Sequence, residues 1–147
     1  MGPVDPRRRH GGVGGERLTW RVRLAVVVAF RYLRVRVDLH RAPLPELVAR
    51  YSRAKRNRDR YPVHTLRRAV DRLLVLPGRP LRCLPRALVM YSLVVEQDQN
   101  PRLVVGLPEA GDSNRAHAWV EIDGVDVGPS PGRAGHQPMV AYPLGDP

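Results

Sequence analysis

The hydrophobic pattern of this 147-residue chain changes once, near residue 100, and that change limits the folds open to it. Before that point, apolar residues recur at spacings of three and four, which is typical of helices. After it, they form short alternating runs that end in glycine, proline or aspartate, which is typical of strands joined by turns. Helices first and strands afterwards predict an α+β domain with a small antiparallel sheet.

Four helices are predicted in the first part of the chain. The first lies within residues 16–41, where the apolar run LAVVVAFRYL is too long for a strand. Pro45 can open a second helix and Pro62 a third, because proline is tolerated in the first helical turn. Residues 84–95 are apolar on nearly every face, which predicts a buried central helix headed by Cys83.

The second part of the chain contains a strong hairpin signal. Asp123 and Gly124 form a two-residue turn of the type that joins adjacent antiparallel strands. Strands are expected at residues 102–107, 116–122, 125–127 and 139–142.

Length and composition are those of one ordinary soluble domain, with 43% hydrophobic and 27% charged residues. Residues 1–15 are rich in proline, glycine and arginine, so we expect a disordered lead. Residues 16–147 are then a single domain, helical over 16–96 and sheet over 102–142. The most apolar stretch, residues 24–30, is far shorter than the ~20 residues that span a bilayer, so no transmembrane segment is expected.

The formal net charge is +11, and Lys55 is the only lysine, so 24 of the 25 basic residues are arginine. Such a charge attracts nucleic acids, acidic peptides and anionic membrane surfaces, and it leaves a basic binding module as an alternative function. Aromatic residues make up only 5% of the chain and no known nucleic-acid motif is present, so we expect no nucleic-acid partner.

The single cysteine, Cys83, excludes an internal disulfide and favours a reducing, cytoplasmic setting. One cysteine and scattered histidines have no metal-ligand spacing, so neither a metal site nor another cofactor is expected. A lone cysteine in a chain that also contains histidine is a candidate nucleophile, although buried cysteines with a purely structural role are common.

Cys83 and His117 form the candidate catalytic pair. The positive end of the helix dipole and the free N–H groups ahead of residues 84–95 favour a thiolate at Cys83, and they can also stabilise an oxyanion. His117 lies on a predicted strand between two alanines, which leave room around its ring. In such a pair the imidazole takes the thiol proton and later returns it to the leaving amine.

Three segments carry a resemblance to a known family: RCLPRAL at residues 82–88, LVVG at 103–106 and AHAWVEIDG at 116–124. In this order they resemble the lasso-peptide biosynthesis B protein, and more narrowly its stand-alone protease half. The resemblance implies a cysteine peptidase of Cys-His-Asp type with a transglutaminase-like, papain-like core. Cys83 would be its nucleophile and His117 its general base.

The resemblance also implies a substrate and partners. The enzyme would remove the leader from a lasso-peptide precursor, helped by a separate leader-binding protein, so that a macrolactam-forming cyclase can close the ring. We expect the arginine-rich helices before residue 80 to contact the leader-binding protein.

The aspartate of the Cys-His-Asp set has no direct counterpart in this chain. With Asp123-Gly124 as the turn, an in-register hairpin places Ser130 opposite His117, where the family has its acid. Asp126 lies on the same face but about 13 Å along the strand, so a bulge or a shifted register would be needed to bring it near His117. Asp126 is the expected third catalytic residue, with Ser130 or a backbone carbonyl as its substitute.

Other residues of the motif have weaker assignments. Trp119 is expected to be a core aromatic in preference to a substrate contact. Glu121 is expected to pair with an arginine or to make a weak substrate contact. His136, in the Gly/Pro-rich tail, is expected to face solvent. The uncertain acid keeps a second alternative open, a non-catalytic scaffold that only binds a peptide.

Overall fold

The computed structural model describes residues 13–54, 59–75, 81–109 and 115–144, with side chains from residue 18 onward. It confirms the α+β class, because four helices precede a four-stranded antiparallel sheet. The elements are α1 (Val13–Asp38), α2 (Leu44–Ser52), α3 (Val63–Leu73), α4 (Cys83–Val95), β1 (Pro101–Pro108), β2 (His117–Ile122), β3 (Val125–Gly128) and β4 (His136–Tyr142).

Helix α4 is the centre of the domain. The other three helices and the strands β1 and β2 all pack against it. Because these neighbours bury most of its side chains, its apolar character on nearly every face is what burial requires. The residues of α4 that are buried are Pro85, Ala87, Leu88, Val89, Met90, Tyr91, Ser92, Leu93 and Val94.

Helix α1 packs on the core through one face. Leu24, Val28 and Val35 are buried on that face, and Arg31 forms an ion pair with Glu96, directly after α4. The helix begins at Val13, inside the segment expected to be a disordered lead, and residues 1–12 lie outside the described residues. Consecutive valines do not interrupt this helix, because core packing outweighs their weak helix propensity.

The sheet has the strand order β3-β2-β1-β4, so β1 lies between β2 and β4. The turn between β2 and β3 is the predicted one, since Asp123 and Gly124 both have positive φ, at 51° and 78°. Ile122 faces Val125 across this turn, as expected for a two-residue loop.

Beyond the turn, the register differs from the in-register hairpin. Gly128 pairs with Val120 and not with Trp119, because the pairing slips by one residue between Val120 and Glu121. A bulge of this kind inserts one extra residue into one strand and bends it. The chain after β3 is therefore redirected, and the loop that joins β3 to β4 starts one residue out of the expected register.

No helix in the described ranges is long and apolar enough to cross a membrane.

Candidate active site

Cys83 is the first residue of α4, so its thiol lies at the helix N-terminus. Arg82 ahead of it has an extended backbone, with φ −57° and ψ 137°, and no described side chain caps the helix. The N–H groups of Cys83 and Leu84 in the first turn are therefore free to bind an anion or an oxyanion, whereas Pro85 has none. The half-exposed Cys83 thiol donates a hydrogen bond of 3.7 Å to the backbone oxygen of Ala116, the residue before β2.

His117 is the first residue of β2, and it lines the same cleft as Cys83. The cleft has a volume of about 990 Å³. The structure thus brings together the two residues that the sequence predicted as a catalytic pair, from elements that are far apart in the chain. The cleft is otherwise lined by Arg36, Leu39, His40, Leu44, Leu81, Arg82, Leu84, Pro85, Arg86, Val105, Arg115, Ala116, Ala118, Pro131 and His136.

Two aromatic side chains surround the His117 ring. The Trp119 ring is stacked on it at a centroid distance of 6.2 Å, and the His136 ring lies 5.0 Å away. Gly106 of β1 makes room for this cluster, because a Cβ there would be 2.7 Å from the Trp119 ring and 2.3 Å from the backbone oxygen of Gln137. The expectation of a solvent-facing His136 holds only in part, because its side chain is half-buried beside His117: β1 joins β2 and β4 and thereby brings the two histidines to one end of the sheet.

The pKa of His117 is lowered from its ordinary value of 6.5, first by burial, then by the neighbouring His136 and Arg86. The charge of Asp126 and a backbone hydrogen bond with Gly132 act in the opposite direction and are outweighed. The imidazole Nε2 is buried and has no hydrogen-bond partner among the described residues. His117 is therefore neutral at pH 7, which is the protonation state in which it can accept a proton from a thiol.

Asp126 acts on His117 indirectly. Its two carboxylate oxygens accept hydrogen bonds from the backbone N–H groups of Gly128 and Arg133, each at 2.8 Å. Gly132 has a φ of +70°, and a Cβ there would be 1.9 Å from one of these oxygens, so only glycine fits. The bulge that the Asp126 assignment required is present, but the carboxylate binds the backbone of the 128–133 loop. Asp126 therefore affects the imidazole through its charge and by holding that loop in place.

Ser130, the alternative to Asp126, is bound elsewhere. Its hydroxyl donates to one carboxylate oxygen of Asp71 at 2.7 Å, and its backbone N–H donates to the other at 2.9 Å. Arg67 adds a hydrogen bond of 3.3 Å to the same hydroxyl. The Ser130 side chain therefore secures the loop to α3, and the in-register placement of Ser130 opposite His117 is not found because of the β3 bulge.

Arg86 completes a network that the sequence did not reveal. Its guanidinium donates to Asp71 at 2.8 Å and to the backbone oxygen of Ser130 at 3.1 Å, and the side chain is only 11% exposed. It thereby ties α3, α4 and the loop together beside His117. Arg86 lies one turn after Cys83 within the RCLPRAL motif, which is a usable signal, whereas Asp71 has no motif that would have identified it.

Trp119 and Glu121 form an internal pair. Trp119 is fully buried, and its indole N–H donates to the Glu121 carboxylate at 2.8 Å. A ring with no exposed surface cannot stack on a bound peptide, so the substrate-contact assignment of Trp119 is wrong and the core assignment is right. Glu121 accepts this indole bond, in place of the arginine pairing expected for it.

Within the described ranges, no group of three or more histidine, cysteine, aspartate or glutamate side chains is arranged to hold a metal ion.

The chain belongs to the transglutaminase-like superfamily, whose family model matches residues 24–141, from α1 to β4. This superfamily includes cysteine peptidases and transglutaminases. No curated protein and no solved structure matches the chain significantly.

Proposed function

We propose that the protein is a cysteine peptidase that removes the leader peptide from a lasso-peptide precursor. It works with a separate leader-binding protein, and its product goes to a macrolactam-forming cyclase. The observation that carries this proposal is that Cys83 and a neutral His117 line one cleft of a transglutaminase-like domain. The RCLPRAL and AHAWVEIDG segments supply the link to lasso-peptide maturation.

The reaction follows from the protonation states. Neutral His117 takes the proton of the Cys83 thiol, and the resulting thiolate attacks the carbonyl carbon of the scissile peptide bond. The N–H groups at the start of α4 stabilise the oxyanion that forms. When the C–N bond breaks, His117 gives its proton to the leaving amine, and an acyl thioester to Cys83 remains. Water, deprotonated by His117, then hydrolyses the thioester and regenerates the thiol.

The cleft suits a peptide substrate. Its volume of about 990 Å³ is at the upper end of the range of small-molecule sites, and it is partly open to solvent. Part of the cleft surface is apolar and is formed by Leu39, Leu44 and Leu81. Two exposed cations, Arg82 and Arg115, also line it. An extended peptide can therefore bind through apolar side chains and through charge.

The direct test is leader cleavage by purified protein, followed by mass spectrometry of the precursor. Cys83→Ala should abolish cleavage and keep the fold, as judged by circular dichroism, because the thiol is lost and little volume is removed. Cys83→Ser should be nearly as inactive, because an alcohol is a much weaker nucleophile beside an imidazole. Cleavage that persists in purified Cys83→Ala would exclude this mechanism.

Iodoacetamide separates the peptidase from a peptide-binding scaffold. A thiol activated by His117 should alkylate rapidly near neutral pH, and His117→Ala should slow the labelling. Equal labelling rates in the two proteins would favour the scaffold.

Cleavage should also depend on the leader-binding protein. The chain alone should cleave weakly, and the partner should raise the rate by delivering the scissile bond at high effective concentration. An equal rate with and without the partner would remove this part of the proposal.

A further inference from the structure

The solvent face of α1 carries an apolar stripe. We use "α1 stripe" for the six large apolar side chains along this face. At about 100° per residue they fall within about 120° of the helix circumference, opposite the buried Leu24, Val28 and Val35. From its first residue to its last the stripe is about 29 Å long at 1.5 Å per residue. Its members and their exposed fractions are Leu18 66%, Val22 55%, Val26 62%, Phe30 65%, Leu33 65% and Val37 45%.

The arrangement of the α1 stripe differs from that of scattered surface hydrophobes, which need no explanation. Val26, Phe30, Leu33 and Val37 follow one another at spacings of four, three and four, the spacing of a seam that packs against a second helix. Most of a helix's surface side chains are normally polar, and the chain as a whole has a mean hydropathy of −0.34.

A groove adjoins the stripe. It lies between α1 and α2, has a volume of about 450 Å³, and is lined in part by Val26, Phe30, Tyr51 and Ala54. Ridges of side chains on one helix pack into grooves on another, so this groove can receive side chains of a helix that lies along the stripe.

Arginines border the stripe on both sides. Arg23 and Arg34 lie along one edge, with 68% and 60% of their side chains exposed, and both are paired within the chain, with Asp59 at 2.9 Å and Asp38 at 3.8 Å. Arg36 lies along the other edge. Arg36 contacts the Tyr32 hydroxyl, and this contact does not neutralise its guanidinium charge.

These borders identify the chemistry of the occupant. Two copies of this chain each carry a net charge of +11, and like charges that oppose each other across an interface are unfavourable. A lipid surface would be attracted by the arginines and by the apolar face, but it is flat and does not fill the groove between α1 and α2. The borders and the spacing together fit a partner helix whose apolar seam is flanked by carboxylates.

The position of the stripe connects this partner to the candidate active site. Arg36, next to Val37 at the end of the stripe, also lines the cleft that contains Cys83. We propose that the α1 stripe docks the leader-binding protein, through an apolar helical seam flanked by acidic residues on that protein. This inference rests on the proposed function. A partner held there would keep its bound leader next to the cleft, which is how docking would raise the cleavage rate.

Substitutions on the stripe test the proposal. Phe30→Glu and Leu33→Glu remove apolar contact and add a charge that repels an acidic partner, and both positions are exposed enough to leave the fold unchanged. Val125→Glu is the matched control, because Val125 is also 65% exposed but lies on β3, away from α1. Calorimetry with the purified leader-binding protein should give a Kd at least about tenfold higher for each stripe variant and an unchanged Kd for the control.

Two further readouts complete the test. Each stripe variant should lose the partner's stimulation of leader cleavage, while its partner-free cleavage stays within about twofold of the wild-type rate, because neither residue touches the cleft. Arg36→Glu should weaken binding more at low salt than at high salt, because Arg36 is an exposed cation and exposed charges are screened.

Several results would overturn the proposal. One is a wild-type Kd in both stripe variants, and another is no binding of the leader-binding protein to the wild-type chain. A third is self-association in sedimentation that Phe30→Glu abolishes, and a fourth is loss of binding to phosphatidylglycerol vesicles without loss of partner binding. Stripe-dependent partner binding without any cleavage by Cys83 would instead support the docking surface and refute the peptidase.

Discussion

Replacing Asp126 with asparagine tests whether the loop at residues 128–133 holds His117 in place. Each carboxylate oxygen of Asp126 accepts one backbone N–H, from Gly128 and from Arg133, both at 2.8 Å. An asparagine has the same shape but only one acceptor oxygen. One of the two N–H groups must then face an amide NH₂ and loses its partner.

The size of the effect follows from this loss. A hydrogen bond to a charged group contributes about 1.5–3 kcal/mol, and Asp126 is partly exposed, so we expect a loss of about 2 kcal/mol. For a domain of this length, that lowers Tm by about 7 °C. If the displaced loop mispositions His117 so that the same free energy is lost from the transition state, the cleavage rate falls by up to about thirtyfold. Because the Asp126 charge raises the pKa of His117, its removal should also move the acid limb of the rate profile to lower pH.

The assay combines thermal unfolding with kcat/KM measured across pH. Asp123→Asn is the matched control, because Asp123 is exposed in the hairpin turn and asparagine tolerates its positive φ. Ser130→Ala is the comparison, since Ser130 binds Asp71 and should slow cleavage less than Asp126→Asn does. An unchanged Tm and rate in Asp126→Asn, or a larger rate loss in Ser130→Ala, would refute the role that we assign to Asp126.

The remaining predictions concern His117 and the glycine beneath its cluster. Because the pKa of His117 is lowered, the acid limb of kcat/KM should lie below pH 6.5; an acid limb above 6.5 contradicts this. The folded state then binds that proton less readily than the unfolded chain, so the His117 contribution to stability is complete above pH 6.5 and falls as the pH drops below it. Gly106→Ala should lower stability by about 1–3 kcal/mol and slow cleavage, since the added methyl meets Trp119 and Gln137; a wild-type Tm would contradict it.

The sequence by itself determined the elements of this protein and their order. The near-absence of polar residues in 84–95 predicted the buried helix α4, and the Asp-Gly pair predicted the β2–β3 turn with its positive φ values. These are local properties, set by side-chain periodicity and by the backbone conformations that a few residues allow. The same reasoning singled out Cys83 at a helix start and His117 on a strand, and their roles in catalysis remain predictions.

Only the tertiary structure decided what surrounds the imidazole. His136 lies beside His117 because the chain inserts β1 between β2 and β4, which no local pattern encodes. Asp71 binds Ser130 across 59 positions of sequence. Asp126 keeps its expected pairing with Glu121, and the bulge after it redirects the chain whose backbone binds its carboxylate. A one-residue slip of this kind depends on packing against the neighbouring strand and loop. Sequence periodicity reports which face a residue occupies, whereas the contacts on that face depend on segments that meet only after folding.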